Sequence, residues 1–336
     1  MFARAQVPQA THSEMTSAVD AAAEAFKTWS KVSVSERQRV MHNYQRLIRE
    51  HTPELAEMIT AEQGKTIADA KGDIFRGLEV VEFACGVAPM MMGETIENVS
   101  AGMDTYSYRV PLGVCGGIAP FNFPAMIPLW MYPLAITTGN TFVLKPSERV
   151  PTTAQKLVEL LEEAGSPPGV VNIVHGSVDT VNFLCDEPRI KALSFVGSNQ
   201  AGEHIYNRGS QAGKRVQSNM AAKNHAVILP DADKHQVINA LVGAAFGAAG
   251  QRCMALRCVH SPPRVTRHYE LSVGEQAREH WSPPTACPSA CMDAPPHAFH
   301  AFARRKCMCS LTRTHVHTCA HSLALARALQ HSSAGG

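Results

Sequence analysis

The sequence predicts an α/β chain, with a region of helices followed by a doubly wound parallel sheet. Three observations carry this. Apolar residues recur at helical spacing over 13–60 and 71–87. From Tyr106 onward, short apolar runs alternate with helical segments. After Leu256 both rhythms stop.

Taken in order, Ser13 is the expected cap of a first helix over Ala18, Ala21, Ala22 and Phe26. Val34-Ser-Glu-Arg opens a second, with Val40, Tyr44, Leu47 and Ile48 on one face. Ala61-Glu-Gln-Gly-Lys-Thr reads as a glycine break. A third helix over 71–87 directs Phe75, Leu78, Val81 and Val87 to a core. Strands are then expected at 113–119, 141–144, 170–174, 192–196 and 226–229. Helices are expected at 125–136, 153–163, 178–185, 201–208 and 234–248. Strand–helix alternation at this spacing argues for parallel βαβ units and a Rossmann-like sheet. Ligands bind such sheets at the C-terminal ends of the strands.

Composition narrows the function. The 336 residues are 45% hydrophobic and 18% charged, enough for a sizeable core. A net charge of +2 gives no reason to expect nucleic acid as a partner. No apolar run approaches a membrane span, so no membrane association is expected. Met1-Phe-Ala-Arg-Ala-Gln-Val-Pro is too short and too weakly basic for a transit peptide, so either targeting or the start of the protein is missing. Cys85, Cys115, Cys185 and Cys253 are scattered singly, as in a reducing compartment.

The residues after each strand carry the chemistry. After the first comes Ala119-Pro-Phe121-Asn122-Phe-Pro, where two prolines fix the backbone around an amide able to donate to an oxyanion. A turn asparagine is the plain alternative. After the second comes Lys145-Pro-Ser-Glu148, suited to ribose hydroxyls or simply to a helix start. After the fourth comes Gly197-Ser198-Asn-Gln-Ala-Gly202, a turn whose backbone N–H groups suit a phosphate, although the G-x-G-x-x-G pattern is absent. Finally, Gly250-Gln-Arg252-Cys253 places one cysteine after an arginine at the expected end of a helix, a setting for an activated thiolate.

These motifs, in this order, resemble the aldehyde dehydrogenase superfamily. The match rests on Ile118-Ala-Pro-Phe-Asn122-Phe-Pro, Lys145-Pro-Ser-Glu148, Phe195-Val-Gly-Ser198 with Gly202, and Gly250-Gln-Arg-Cys253, and it reaches back through Glu62-Gln-Gly-Lys65 to about Val7. The resemblance implies that Cys253 is the nucleophile, and that Asn122 and the backbone N–H of Cys253 form the oxyanion hole. NAD would be bound by Ala119, Phe121, Lys145, Glu148, Gly197, Ser198 and Gly202. Hydrolytic members carry Glu-Leu-Gly-Gly-Lys before the nucleophile, with the glutamate as general base. Here Asn219-Met-Ala-Ala-Lys223 stands in its place, and asparagine is no base near neutral pH. The thioester would then pass to coenzyme A as co-substrate, and the chain is similar to the CoA-acylating branch. Within that branch, Pro120–Trp130, Val216–His225 and Phe246–Met254 resemble the family that oxidises methylmalonate or malonate semialdehyde with loss of CO2, yielding propanoyl-CoA or acetyl-CoA, in valine and thymine catabolism. Arg76 and Arg252 are the implied anchors for the substrate carboxylate. Homotetramers in the mitochondrial matrix are the family expectation, with the cytoplasm open for want of a leader.

From about Arg257 the resemblance is expected to end. Three Ser/Ala-Pro-Pro turns, six cysteines and nine of the sixteen histidines follow Leu256. Cys287, Cys291, His297, His300, Cys307, Cys309, His315, His317, Cys319 and His321 are metal-ligand types, but their spacing matches no zinc pattern and no metal is expected. The expected organisation is a helical region at 1–105, an NAD-binding domain at 106–250, the start of a catalytic domain at 251–256 and a non-homologous, disordered tail at 257–336. Most of the catalytic domain would be missing. Three functions stay open: the acylating dehydrogenase, an inactive truncated form retaining at most NAD binding, and a hydrolytic dehydrogenase.

Overall fold

The computed structural model describes residues 7–261. They fall into two compact units, one up to Ala221 and one from Ala222 onward.

The first unit opens with four helices: α1 (His12–Trp29), α2 (Val34–Glu50), α3 (Thr52–Gln63) and α4 (Ile67–Cys85). The cap of α1 is Thr11, not Ser13. Its side chain accepts from Glu14 N–H, and Glu14 answers in a capping box. Ser33 and Thr66 cap α2 and α4, accepting from the N–H groups of Glu36 and Asp69. Gly64, at φ +86°, ends α3 in the left-handed region that a side chain disfavours. On α4 the buried stripe runs through Ala70, Ile74, Leu78 and Val81. Phe75 lies one position round from that stripe and is exposed, which corrects its expected place in the core.

A two-stranded ribbon follows, β1 (Thr95–Ser100) antiparallel to β2 (Met103–Tyr106), with every residue exposed. Sequence periodicity did not suggest it. The sheet comes next as β3 (Val114–Ile118), α5 (Met126–Thr137), β4 (Thr141–Lys145), α6 (Pro151–Glu163), β5 (Val171–Ile173), α7 (Val178–Asp186), β6 (Ile190–Val196), α8 (Asn199–Gln211) and β7 (Arg215–Asn219). Its order is β5-β4-β3-β6-β7, all parallel, which is the doubly wound arrangement expected. The central strands β3 and β4 are buried along their whole length, as a sheet covered on both faces requires. One face packs on α2 to α6 through Tyr44, Ile74, Leu129, Tyr132 and Leu157. The other packs on α1, α7 and α8 through Val19, Leu184 and Ile205. Strand β7, Arg-Val-Gln-Ser-Asn, is a polar edge strand that carries no apolar run and was not expected.

The second unit holds β8 (Asn224–Val227), α9 (Lys234–Phe246), a 3₁₀ turn (Gly247–Gly250) and β9 (Leu256–His260). The apolar run at 226–229 was expected to join the main sheet. It overlaps β8, which instead pairs in parallel with β9 over a small core of Ile228, Ile238, Leu241 and Val242. The expected end of ordered homology at 256 therefore falls at the first residue of a strand. The rest of the Cys/His-rich segment, from 262, lies outside the described residues. No helix among the described residues is long and apolar enough to cross a membrane.

Candidate active site

The switch point of the main sheet lies between β3 and β6, because the chain moves outward from β3 in one direction to β4 and in the other to β6. Open α/β sheets bind ligands at that crevice, beyond the C-terminal strand ends. The structure gathers most of the candidate residues there. Ala119, Phe121 and Asn122 follow β3, Lys145 ends β4 and Glu148 follows it, and Gly197, Ser198 and Gly202 follow β6.

The β3 and β4 ends are tied together, since Ala119 N–H donates to Lys145 O at 3.0 Å. The Lys145 side chain is 5% exposed. Its ammonium donates to Pro146 O at 3.0 Å and to Glu148 Oε2 at 3.1 Å. The Glu148 side chain is 43% exposed and faces outward. Partial burial raises its carboxyl, but backbone hydrogen bonding and the Lys145 charge outweigh this and hold it below the ordinary carboxylate range. A fixed, ionised carboxylate at the end of the strand next to the switch point is what ribose hydroxyls require. Phe121 lies beneath the Arg149 guanidinium, 5.2 Å from it.

Ser198 caps α8, accepting from Ala201 N–H at 3.3 Å. Gly202 sits where α8 meets β7. A Cβ there would lie 2.6 Å from Met220 Cγ and 2.8 Å from Ser218 Oγ. The Gly202 carbonyl also accepts from Ser218 Oγ at 3.1 Å. This glycine lets the helix start approach the sheet. Gly202→Ala is expected to lower stability by about 1–3 kcal/mol through overpacking, measured as a shift of the urea midpoint.

Arg76 is not at a strand end. It stands on α4, exposed, with its guanidinium on Glu79 at 3.0 Å and its carbonyl accepting from Trp130 Nε1 at 3.3 Å.

Arg252 and Cys253 belong to the second unit. The helix expected to run to 248 stops at Phe246. Ala248 (φ +49°) and Gly250 (φ +70°) take left-handed backbone, which a continuing α-helix cannot contain. Cys253 therefore lies in the turn leading into β9, not at a helix end. Asn224 Nδ2 donates to Cys253 O at 2.7 Å and to Ala255 O at 3.1 Å, pinning that turn to the start of β8. Gly247 leaves room for the Arg252 guanidinium, which a Cβ would meet at 2.8 Å. Cys253 is half-buried. The thiols of Cys85, Cys115 and Cys185 are pushed up to about 11, chiefly by burial, and stay protonated at neutral pH.

Three further groups were not in the candidate set. Asn224 holds the Cys253 turn. Glu62 and Asp73 reach the first turns of α6 and α5, the helices that follow the β4 and β3 loops, from helices far away in sequence. The one trace of them in sequence is Glu62-Gln-Gly-Lys65, whose role no local pattern reveals.

A doubly wound sheet with these strand ends, followed by a cysteine turn, is an α/β framework with its ligand crevice at the switch point. The aldehyde dehydrogenase family model matches residues 3–277, and the chain belongs to that family. The match continues past 256, where the resemblance was expected to stop. The chain is 61% identical over 251 residues to the mitochondrial, acylating methylmalonate-semialdehyde/malonate-semialdehyde dehydrogenases of Mus musculus and Homo sapiens. These alignments take in 75% of the chain and 47% of each relative, so the chain spans about half the length of the curated relatives it matches. The crystal structure of methylmalonate-semialdehyde dehydrogenase from Oceanimonas doudoroffii is similar with a TM-score of 0.79 and 43% identity, over 81% of this chain and 56% of that one. A Sinorhizobium meliloti protein assigned to the same enzyme, crystallised with NAD, is similar with a TM-score of 0.78 and 43% identity, over 80% of this chain and 55% of its own.

Proposed function

We propose that the chain carries the site of an NAD-dependent, CoA-acylating dehydrogenase of methylmalonate or malonate semialdehyde. The observation that supports this most is the convergence of Ala119–Asn122, Lys145, Glu148 and Gly197–Gly202 at the C-terminal ends of three adjacent strands around the switch point. In this reading Lys145 and Glu148 hold the adenosine ribose, and the turn from Gly197 to Gly202 lies along the diphosphate. NAD, when bound, supplies the hydride acceptor.

The Cys253 thiolate attacks the aldehyde carbon, and the carbonyl electrons move to oxygen. Asn122 and the Cys253 N–H donate to that oxyanion. Loss of hydride from the same carbon restores the carbonyl and leaves a thioester on Cys253. The carboxylate departs as CO2, and a proton takes its place on the α-carbon; Arg252 and Arg76 are its anchors by family resemblance alone, since Arg76 is engaged with Glu79. Asn219 stands where hydrolytic relatives place a general base, so the thioester passes to the thiolate of coenzyme A, which releases Cys253. The names of the relatives support a mitochondrial location; the matrix, and assembly as homotetramers, are family-based proposals.

The test is NADH production by the full chain with malonate semialdehyde, NAD and CoA. CoA-dependent NADH supports the proposal. Turnover indifferent to CoA selects the hydrolytic alternative. Retained NAD binding without turnover selects a second reading, a dinucleotide-binding chain without dehydrogenase activity. That reading is favoured by one observation: the chain spans about half the length of the curated relatives it matches.

A further inference from the structure

We propose that Glu62 and Asp73 are positioning residues, which set the two site loops by capping α6 and α5 from outside those helices. The first N–H groups of a helix have no intrahelical acceptor, and a side chain at the N-cap usually accepts from them. The N-cap residues of α5 and α6 are Ala125 and Val150, and neither makes a side-chain cap bond. These two helices directly follow the loops that carry Asn122 and Glu148.

In α6, Pro151 has no N–H. Thr152 N–H donates to Glu62 Oε1 at 2.6 Å, and Thr153 N–H and Oγ1 donate to Glu62 Oε2 at 3.1 and 2.8 Å. One carboxylate from the end of α3 thus serves both backbone N–H groups at the second and third positions and the Thr153 hydroxyl. In α5, Met126 N–H donates to Asp73 Oδ1 at 2.8 Å, and the Ala125 N–H also donates to this carboxylate. Ile127 N–H turns back to Phe123 O, Pro128 has none to offer, and Leu129 N–H reaches Ala125 O. The first turn of α5 is complete only with Asp73.

The two caps are joined in sequence. The other Asp73 oxygen accepts from Lys65 Nζ at 2.9 Å, and that ammonium lies 3.8 Å from the centre of the Phe123 ring. Glu62-Gln-Gly-Lys65 therefore acts on both loops. Its carboxylate caps the helix after Glu148, and its ammonium neutralises the carboxylate capping the helix after Asn122. A carboxylate at a helix start also occupies the place where a phosphate would bind. Of the three helices that follow β4, β3 and β6, α8 alone has its own hydroxyl cap, Ser198, in place of a distant carboxylate. This directs the diphosphate of the proposed cofactor to α8.

The functional arm of this inference rests on the dinucleotide reading, and the structural arm does not. The experiment uses the full chain, with amide hydrogen exchange and NADH affinity as readouts. Glu62→Ala is expected to speed exchange at Thr152 and Thr153 by about tenfold, as loss of a cap predicts, while strand amides of β3 and β4 are unchanged. It is expected to raise the NADH Kd by about tenfold through loss of a preformed loop. Glu62→Gln, which retains an acceptor, restores most of both. For Asp73, a background without the buried charges avoids misfolding: K65M/D73N keeps an acceptor and slow exchange at Met126, and K65M/D73L loses it. Uniformly faster exchange across the unit, or unchanged exchange at these amides, would overturn the proposal. If the parent chain fails to bind NADH, the dinucleotide reading falls, and the exchange data alone decide the positioning role.

Discussion

Replacing Cys253 by alanine is expected to lower CoA-dependent NADH formation by about a thousandfold or more while NADH binding persists. Removing the nucleophile of a covalent mechanism removes the whole route, so the loss is of the size seen when any member of a catalytic unit is deleted. Two controls make the result specific. Cys85→Ala removes a thiol that burial pushes up to about 11, which is no nucleophile at neutral pH. Cys258→Ala removes the other half-buried thiol among the described residues of the second unit, five residues further along. Both are expected to retain turnover. Turnover that survives Cys253→Ala would end the role assigned to it, and loss in Cys258→Ala alone would transfer the role.

Lys65→Met is expected to be the most destabilising single change in the first unit, at about 3–5 kcal/mol at pH 7. Lys65 and Asp73 are a buried pair with side chains 2% and 0% exposed, and removing one partner strands the other charge. The pH dependence distinguishes this from a packing defect. Burial pushes the Asp73 carboxyl up, and Lys65 with the Met126 and Ala125 N–H groups pulls it only part of the way back. A carboxyl raised in the folded state favours folding below its ordinary value of 3.8, and that contribution is lost as pH rises through the folded pKa. Without Lys65 the folded pKa moves higher still, so the loss extends over a wider range. Urea unfolding is therefore expected to show a small deficit near pH 4 and the full deficit at pH 7. An equal deficit at both would assign the effect to packing.

The main sheet was legible because its central strands are short, mostly apolar and separated by helices. Runs such as Thr141-Phe-Val-Leu have one physical solution, burial on both faces. Strand β7 was not legible, because an edge strand needs no apolar run, and Arg215, Gln217 and Asn219 are exposed. Strand β8 was recognised in part as a strand but assigned to the wrong sheet, since apolar character gives burial and not the neighbour. The end of α9 was misplaced because Gly247-Ala-Ala-Gly keeps helix-compatible composition while Ala248 turns left-handed. At the site, residues directly after strands could be read from spacing. The caps could not: Glu62 meets residues 90 and 91 positions away, and Asp73 meets Met126 across 53.

The β1–β2 ribbon has a thermodynamic consequence of its own. Ile96, Val99, Met103 and Tyr106 are each more than half exposed, so the ribbon gains little from burial. Ordering costs about 1–2 kcal/mol per residue, and backbone hydrogen bonds return only about 1 kcal/mol each. The ribbon is therefore expected to open without the sheet opening, which faster amide exchange at 95–106 than in β3 and β4 would show. A surface that covered Ile96 and Met103, which share one face of the ribbon, would order it on binding. Its affinity would be reduced by the ordering cost, in the manner of coupled folding and binding.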